Sequence, residues 1–330
     1  MSKSKMKSWR FHEFGSISNL QMEEIEIPVP GDDEVLIKLE YAGVNPADKF
    51  LIMGIYQGAS EPPYAVGRNG CGTIIKVGVK SRYNIGDKVI TPSAPAGINR
   101  EGTLAEYITL PDNQIYLLPD WWTPEEGAAG TKVFLTCWQG LHDAAHLQPG
   151  ETVVITGASG GIGLAAQTLV KAMGGKTIAL TRGTDKRDQL LKLGFDHVCD
   201  TNDPDIVENV KAFGGADVIL DVVGGKFFAK AIEMANPYGR ICVVGALGGV
   251  KSEVDPVQII FKRLQIYGLQ VSLYEAEESQ RALQELLEVL EPSKGKIMID
   301  KVFPFDQVQE AFEHMRHGPM GKVIVGPIGE

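Results

Sequence analysis

The stretch TGASGGIGLAAQ, residues 156–167, fits two glycine motifs that belong to different enzyme layouts. Read as TGxxxGxG, it accompanies a catalytic Tyr and Lys four residues apart on one helix face. Read as AxGxxG, it is the turn of a strand–turn–helix unit that binds a dinucleotide and serves an active site built elsewhere. The twelve residues alone do not choose between the two.

The rest of the chain chooses. The Tyr–Lys layout of short-chain dehydrogenases places its glycines near the N-terminus, whereas here about 155 residues precede them. The downstream tyrosines Tyr238, Tyr267 and Tyr274 are followed four positions later by Cys242, Val271 and Glu278, so no Tyr–Lys pair exists. What remains is Ala158, Gly160 and Gly163 after an apolar run and before a helical pattern. Gly160 would let backbone approach a pyrophosphate, the N–H groups of Gly161 and Ile162 would point at it, and Gly163 would allow close packing of helix on strand.

From residue 151 onward, short Val- and Ile-rich runs alternate with helical patterns. The runs are 151–157, 176–182, 196–200, 217–224, 240–246 and 265–272, each followed by residues at helical spacing. Nearly continuous apolar strands are buried on both faces, so the pattern predicts an α/β, doubly wound, parallel six-stranded Rossmann sheet. The first part reads differently. Its short runs, among them GTIIKVG, GDKVITPS and GTLAEYITLP, are broken by Gly, Pro and Asp and predict a β-rich domain of antiparallel strands. The closing KIMIDKVFPFDQVQEAFEHMRHGPMGKVIVGP resumes strand–helix–strand after the six strands are complete and is expected to return to the first domain. In DWWTPEEGAAG, Thr123 reads as an N-cap, with Pro124 at the first helical position and acids at the positive helix end. The division expected is 1–123 with 293–330 for the β-rich domain, and 124–292 for the Rossmann domain.

Composition narrows the function classes. At 330 residues there is length for about two domains, and the net charge of −10 disfavours nucleic acid, whose binders need a basic face. No apolar run reaches the ~18 residues of a membrane span, and no apolar segment follows the basic N-terminus, so no membrane association and a cytoplasmic location are expected. The four cysteines are scattered without metal-ligand spacing. His142 and His146 would share a helix face, and His314 and His317 would stand at the end of the last helix; all four read as structural or solvated.

The second strand bears on the choice of dinucleotide. An NAD site places Asp or Glu at its tip for the ribose hydroxyls. Here Thr181 and Arg182 stand at the tip, with Lys186 following, and a guanidinium suits a 2′-phosphate. NADPH is therefore expected over NADH, with Asp185 the one residue against it.

Taken with GVNPAD (43–48), GIY (54–56), GDKV (86–89), GTLAEY (102–107), ASGGIG (158–163) and GPMGKVIV (318–325), the whole chain resembles the medium-chain dehydrogenase/reductase superfamily, in its zinc-free quinone oxidoreductase-like branch. The resemblance implies a GroES-like catalytic domain beside the Rossmann domain. Zinc-dependent alcohol dehydrogenases of that superfamily bind their metal through Cys and His residues where this chain has Asn45, Arg68 and Lys132, and Asn69 stands where an acid is common. No metal is therefore expected. Arg68 and Lys132 are expected to keep their charged tips in solvent while their stems pack; alternatively, two cations at that place would attract an oxyanion. The resemblance puts Asn45 beside the nicotinamide and Tyr56 toward the substrate, either as a hydrogen-bond donor to a carbonyl or as packing only. Tyr56 and Asn45 are the candidate catalytic residues. The candidate cofactor-binding set is Asn45, Thr136, Ser159, Gly160, Gly161, Ile162, Thr181, Arg182, Lys186 and Gly245.

The function expected is NADPH-dependent reduction of quinones or α,β-unsaturated carbonyls, a small-molecule substrate class, without catalytic zinc. The alternatives are trans-enoyl thioester reduction, or NADPH binding and sensing without turnover. A homodimer is expected, from the resemblance and from the exposed sheet edge that 240–246 and 265–272 would form.

Overall fold

The structure, a computed structural model, describes residues 4–92 and 96–329; Ser93, at the end of the expected run GDKVITPS, lies outside them. Two compact units are present. One comprises Met1–Lys132, Ser272–Leu283 and Ile297–Glu330, the other Val133–Val271 and Gln284–Lys296. The helix Pro124–Trp138 is therefore divided, its residues up to Lys132 grouping with the first unit. Its start is closed by reciprocal bonds, Thr123 N donating to Glu126 Oε2 at 2.8 Å and Glu126 N to Thr123 Oγ1 at 3.3 Å.

The second unit holds the six expected strands, all parallel, in the order His197–Asp200, Lys176–Thr181, Thr152–Thr156, Ala216–Asp221, Ala235–Val243, Gln265–Gly268. The chain starts at Thr152–Thr156 in the middle, builds outward to one edge, then returns to the other side of that strand. The order reverses there, and in such sheets ligands sit outside the carboxyl ends of the strands at the reversal. Every residue of Thr152–Thr156 is buried, as its apolar run requires.

Two local features depart from the sequence reading. The strand expected at 240–246 begins earlier, at Ala235, taking in residues between the runs that were expected at helical spacing; the helix Phe227–Met234 stops before it. Pro237 biases Asn236 to an extended backbone, and Asn236 Nδ2 donates to Gly214 O and Asp217 Oδ1, both at 2.9 Å. After Trp138 the backbone widens into a π-helical turn, Gln139–Ala144, and His146 lies beyond it at φ 49°. His142 and His146 thus share no helix face. His142 stacks on Trp138, and His314 bonds Asp300 at 2.6 Å.

The first unit is β-rich, as expected. Lys5–Phe11 pairs antiparallel with Gln21–Glu26 and Tyr64–Ala65. The larger sheet runs Ile299–Phe303, Lys322–Val325, Glu34–Gly43, Gly70–Val77, Lys88–Thr91, Tyr116–Leu117, with Tyr107–Pro111 also paired to Glu34–Gly43. The closing segment therefore returns to this unit, Ile324 opposite Gly43 and Val325 opposite Ala42. Phe11, Leu20, Ile37, Leu39, Leu51, Ile74 and Phe312 fill its core. Among the described residues no helix is long and apolar enough to cross a membrane.

In the second unit, a Cβ on Gly163 would come within 2.5 Å of the Ala158 backbone, which cannot swing aside as a side chain can. Gly163→Val is expected to lower the unfolding free energy by about 1–3 kcal/mol in urea titration, the range for overpacking. An unchanged midpoint and slope would show that the helix does not depend on this close approach.

Candidate active site

The glycine turn of the second unit is assembled by backbone geometry. Gly157 takes φ 60°, Gly160 N donates to Gly157 O at 3.0 Å, and Ala158 N donates to Leu180 O at 3.2 Å, tying the turn to the second strand. Gly160 is then the N-cap of Gly161–Ala172, with no side chain capping the helix. The first N–H groups of a helix have no acceptor within it and carry the positive end of its dipole, which suits phosphate. A Cβ on Gly160 would find only Gly157 O, at 3.5 Å. The fold itself has room for a side chain there, so the open space fits a nucleotide passing close to the backbone.

Ser159 and Lys186 meet at this turn, Lys186 Nζ donating to Ser159 Oγ at 3.2 Å. Thr181 is buried at the end of the second strand and Arg182 is exposed just beyond it. The following loop is held by Asp200, whose Oδ1 accepts from Gly183 N at 2.8 Å and Asn202 N at 2.9 Å. Those backbone donors lower its carboxyl pKa. Thr136 is buried in the portion of its helix that groups with this unit. Gly245 follows the strand Ala235–Val243, close to Val222 O.

Asp221 belongs to this set and was not singled out from sequence. Fully buried, it accepts through Oδ1 from Thr156 Oγ1 at 2.8 Å, Val223 N at 3.0 Å and Gly224 N at 3.1 Å, while Val222 N donates to Thr156 Oγ1 at 2.9 Å. It locks together the carboxyl ends of the two strands at the reversal. The available signal was a carboxylate ending the otherwise apolar DVILD.

The first unit contains a buried polar cluster around Asn45. The strand Glu34–Gly43 ends, Asn45 caps the short helix Pro46–Ile52, and Pro46 occupies its first turn. Asn45 N and Nδ2 both donate to Asp48 Oδ2, at 2.9 and 3.0 Å; Nδ2 also donates to Asn69 Oδ1 at 2.9 Å. Lys322 Nζ donates to Asn45 Oδ1 at 2.8 Å and to Val44 O at 2.9 Å. Asn69 Nδ2 in turn donates to Ala128 O on the neighbouring helix. A side chain on Gly43 would collide with Asn69 and Ala128, so glycine is what lets strand and helix approach here.

Arg68 and Lys132 join this cluster, which corrects the expectation that their tips lie in solvent: Arg68 is 2% exposed and Lys132 8%. Burial, reinforced by Arg68 and Lys322, holds the Lys132 ammonium well below the usual lysine range, with Asp48 opposing. Burial likewise lowers Lys322 to about 8, again against Asp48. The Arg68 guanidinium carbon lies 5.0 Å from the centre of the Tyr56 ring. The half-buried Tyr56 packs against the core, and its hydroxyl shares a 3.0 Å hydrogen bond with that of Ser272. Tyr56 is thus both a packing residue and a hydroxyl in a polar network.

A catalytic zinc does not fit this donor set. Asn45 spends its side-chain oxygen on a lysine and its nitrogen on three acceptors, the third being Gly43 O at 3.3 Å. Arg68 and Lys132 would repel a cation, and among the described residues no three or more His, Cys, Asp or Glu side chains cluster as metal ligands.

Comparison with known proteins agrees with both halves of this description. Residues 31–120 match the alcohol dehydrogenase GroES-like domain and residues 161–290 the zinc-binding dehydrogenase domain. The quinone oxidoreductase of Pongo abelii is 31% identical over 328 residues, covering 97% of each chain. Among solved structures, an NAD-dependent alcohol dehydrogenase superposes with TM-score 0.88 at 25% identity, over 97% of this chain and 99% of that one. The CurK enoyl reductase superposes with TM-score 0.86, also at 25% identity, over 98% and 99%. The chain belongs to the medium-chain dehydrogenase/reductase superfamily and is quinone oxidoreductase-like. It is an oxidoreductase of a family that binds a nicotinamide cofactor.

Because the fold leaves space at Gly160 while a bound pyrophosphate would use it, Gly160→Ala should separate folding from binding. Its unfolding free energy is expected within about 0.5 kcal/mol of wild type. Nucleotide affinity, followed by fluorescence titration, should fall roughly tenfold, the scale of one charge-assisted hydrogen bond. Undiminished affinity would place the nucleotide elsewhere.

Proposed function

We propose that the protein is an NADPH-dependent reductase of quinones or α,β-unsaturated carbonyls that works without catalytic zinc. The observation that carries this reading is the replacement of a metal-ligand set by a buried group of hydrogen-bond donors and cations around Asn45. Such a group can stabilise a carbonyl oxygen that gains negative charge, but it has no metal with which to form an alkoxide from an alcohol. The quinone oxidoreductase relative supports the same substrate class.

When bound, the nicotinamide supplies the hydride. The glycine turn and the N–H groups of Gly161 and Ile162 hold the pyrophosphate, with Ser159 beside them. The Lys186–Ser159 bond brings a cation to this turn, and Arg182 stands exposed where an NAD site has a carboxylate; together they favour the 2′-phosphate of NADPH. The Tyr56 hydroxyl is the donor assigned to the substrate oxygen. Asn45, its side chain already engaged by four partners, positions the segment 43–45. Thr136 and Gly245 remain assigned to cofactor binding.

The CurK likeness favours a second reading, reduction of a trans-enoyl thioester. Faster turnover of a crotonyl thioester than of any simple quinone or enone would select it.

A second copy of the chain is the proposed partner. Val257, Ile260 and Phe261 on the helix Pro256–Lys262 are 52%, 69% and 84% exposed, next to the edge strand Gln265–Gly268, where Ile266 is 43% exposed. A bare sheet edge with an apolar flank is suited to pairing with its own symmetry mate.

Cofactor choice and self-association are each open to a direct measurement. Arg182→Ala should weaken NADPH binding by roughly 1.5–3 kcal/mol, the scale of a hydrogen bond to a charged group, and leave NADH nearly unchanged; equal losses for both would remove Arg182 from 2′-phosphate recognition. Phe261→Asp should convert a dimer to a monomer by light scattering, and a wild-type monomer at micromolar concentration would refute the dimer.

A further inference from the structure

We propose that the cleft between the loops 223–227 and 248–251 is a binding site for a small organic phosphate monoester, separate from the dinucleotide. The inference goes beyond the reductase reading and does not rest on it. The cleft lies wholly within the second unit and holds about 420 Å³, a volume in the range of small-molecule sites. Lys226 and Lys251 line it with their charges, and Val223, Phe227 and Val250 with apolar surface.

The walls are held in place by the backbone. The two loops follow the adjacent strands Ala216–Asp221 and Ala235–Val243. Asp221 Oδ1 accepts from Val223 N at 3.0 Å and Gly224 N at 3.1 Å, which fixes the first loop. Gly248 N donates to Val223 O at 2.7 Å, which ties the second loop to the first. Gly224 and Gly225 take φ 62° and 58°, and a Cβ on Gly225 would come within 2.6 Å of Gly248 O. Glycine is thus what allows the two backbones to meet. Phe227 is half-buried against the core of the unit, whereas Val250 is 88% exposed.

The charge in this cleft is of one sign. The chain carries 42 acidic against 32 basic residues, yet no Asp or Glu lines the cleft. Among the described residues neither lysine side chain makes a hydrogen bond or ion pair. Two ammonium groups on one cleft repel each other until an anion lies between them. A phosphate monoester brings about −1.5 to −2 charge at pH 7 and three strong acceptor oxygens. Its organic part would cover Phe227 and Val250, removing apolar surface from water. The phosphates of the dinucleotide are assigned elsewhere, to the turn after Thr152–Thr156 and the end of Lys176–Thr181. In the sheet, Thr152–Thr156 stands between Lys176–Thr181 and the two strands that carry this cleft. The sheet order thereby separates the two groups of anion-binding loops.

The probe is phenyl phosphate, titrated by calorimetry into wild-type protein saturated with NADP⁺. It should bind at one site per chain, at least about fivefold more tightly than inorganic phosphate, because the ring adds apolar burial. The double variant Lys226→Gln/Lys251→Gln should weaken it at least about tenfold, the loss expected for two exposed charge contacts together. Both lysines are exposed, so the unfolding midpoint of that variant should match wild type. Absence of binding overturns the proposal, as does a folded double variant that binds like wild type. Equal affinity for inorganic phosphate overturns the assignment of an apolar-bodied ligand. Binding that is present without NADP⁺ and abolished by it would place the phosphate in the dinucleotide's own site and overturn the proposal as well.

Discussion

The ammonium of Lys322, donating to the Asn45 side chain and the Val44 carbonyl, is the interaction on which the polar centre of the first unit depends. It joins the closing strand Lys322–Val325 to the exit of Glu34–Gly43 and the start of Pro46–Ile52, three pieces of chain remote in sequence. Hydrogen bonds to a charged group contribute about 1.5–3 kcal/mol each, while removing one partner of a buried ionic group costs about 3–5 kcal/mol. Asn45 is thereby fixed, Asp48 and Asn69 are placed by Asn45, and Ala128 is held by Asn69. The lowered pKa of Lys322 records what burial costs this centre.

Where relatives with a catalytic metal would use soft or anionic ligands, this chain has an amide and cations. The exchange changes the available chemistry from Lewis-acid activation to hydrogen bonding and charge attraction, which act on an oxygen only as it becomes negative. In the second unit the constraint is different in kind. There the sheet's reversal, the Asp221–Thr156 lock and the glycine turn shape an open backbone surface, with Lys186 bonded at the turn through Ser159.

The second unit was legible in sequence because parallel strands buried on both faces must be apolar throughout, and because the spacing of Ala158, Gly160 and Gly163 has a strict backbone meaning. The return of 299–325 to the first unit followed from a sheet that already had its six strands. Burial of Arg68 and Lys132 was not legible, because enclosure of a single charged side chain is decided by tertiary packing that no local pattern carries. The helix stop before Ala235 carried a local signal in Asn236–Pro237, but the apolar pattern of the preceding residues outweighed it. The π-helical turn at Gln139–Ala144 carried none that periodicity could detect.

The fate of the hydride tests the proposed chemistry most directly. The protein should be incubated with NADPH deuterated at the transferable C4 position and a simple acyclic enone, and the product analysed by NMR. Deuterium at the carbon β to an intact carbonyl is the result predicted for a site that stabilises an enolate oxygen. Deuterium on the carbonyl carbon of an allylic alcohol, or rapid oxidation of that alcohol in the reverse direction with the enone inert, would contradict it.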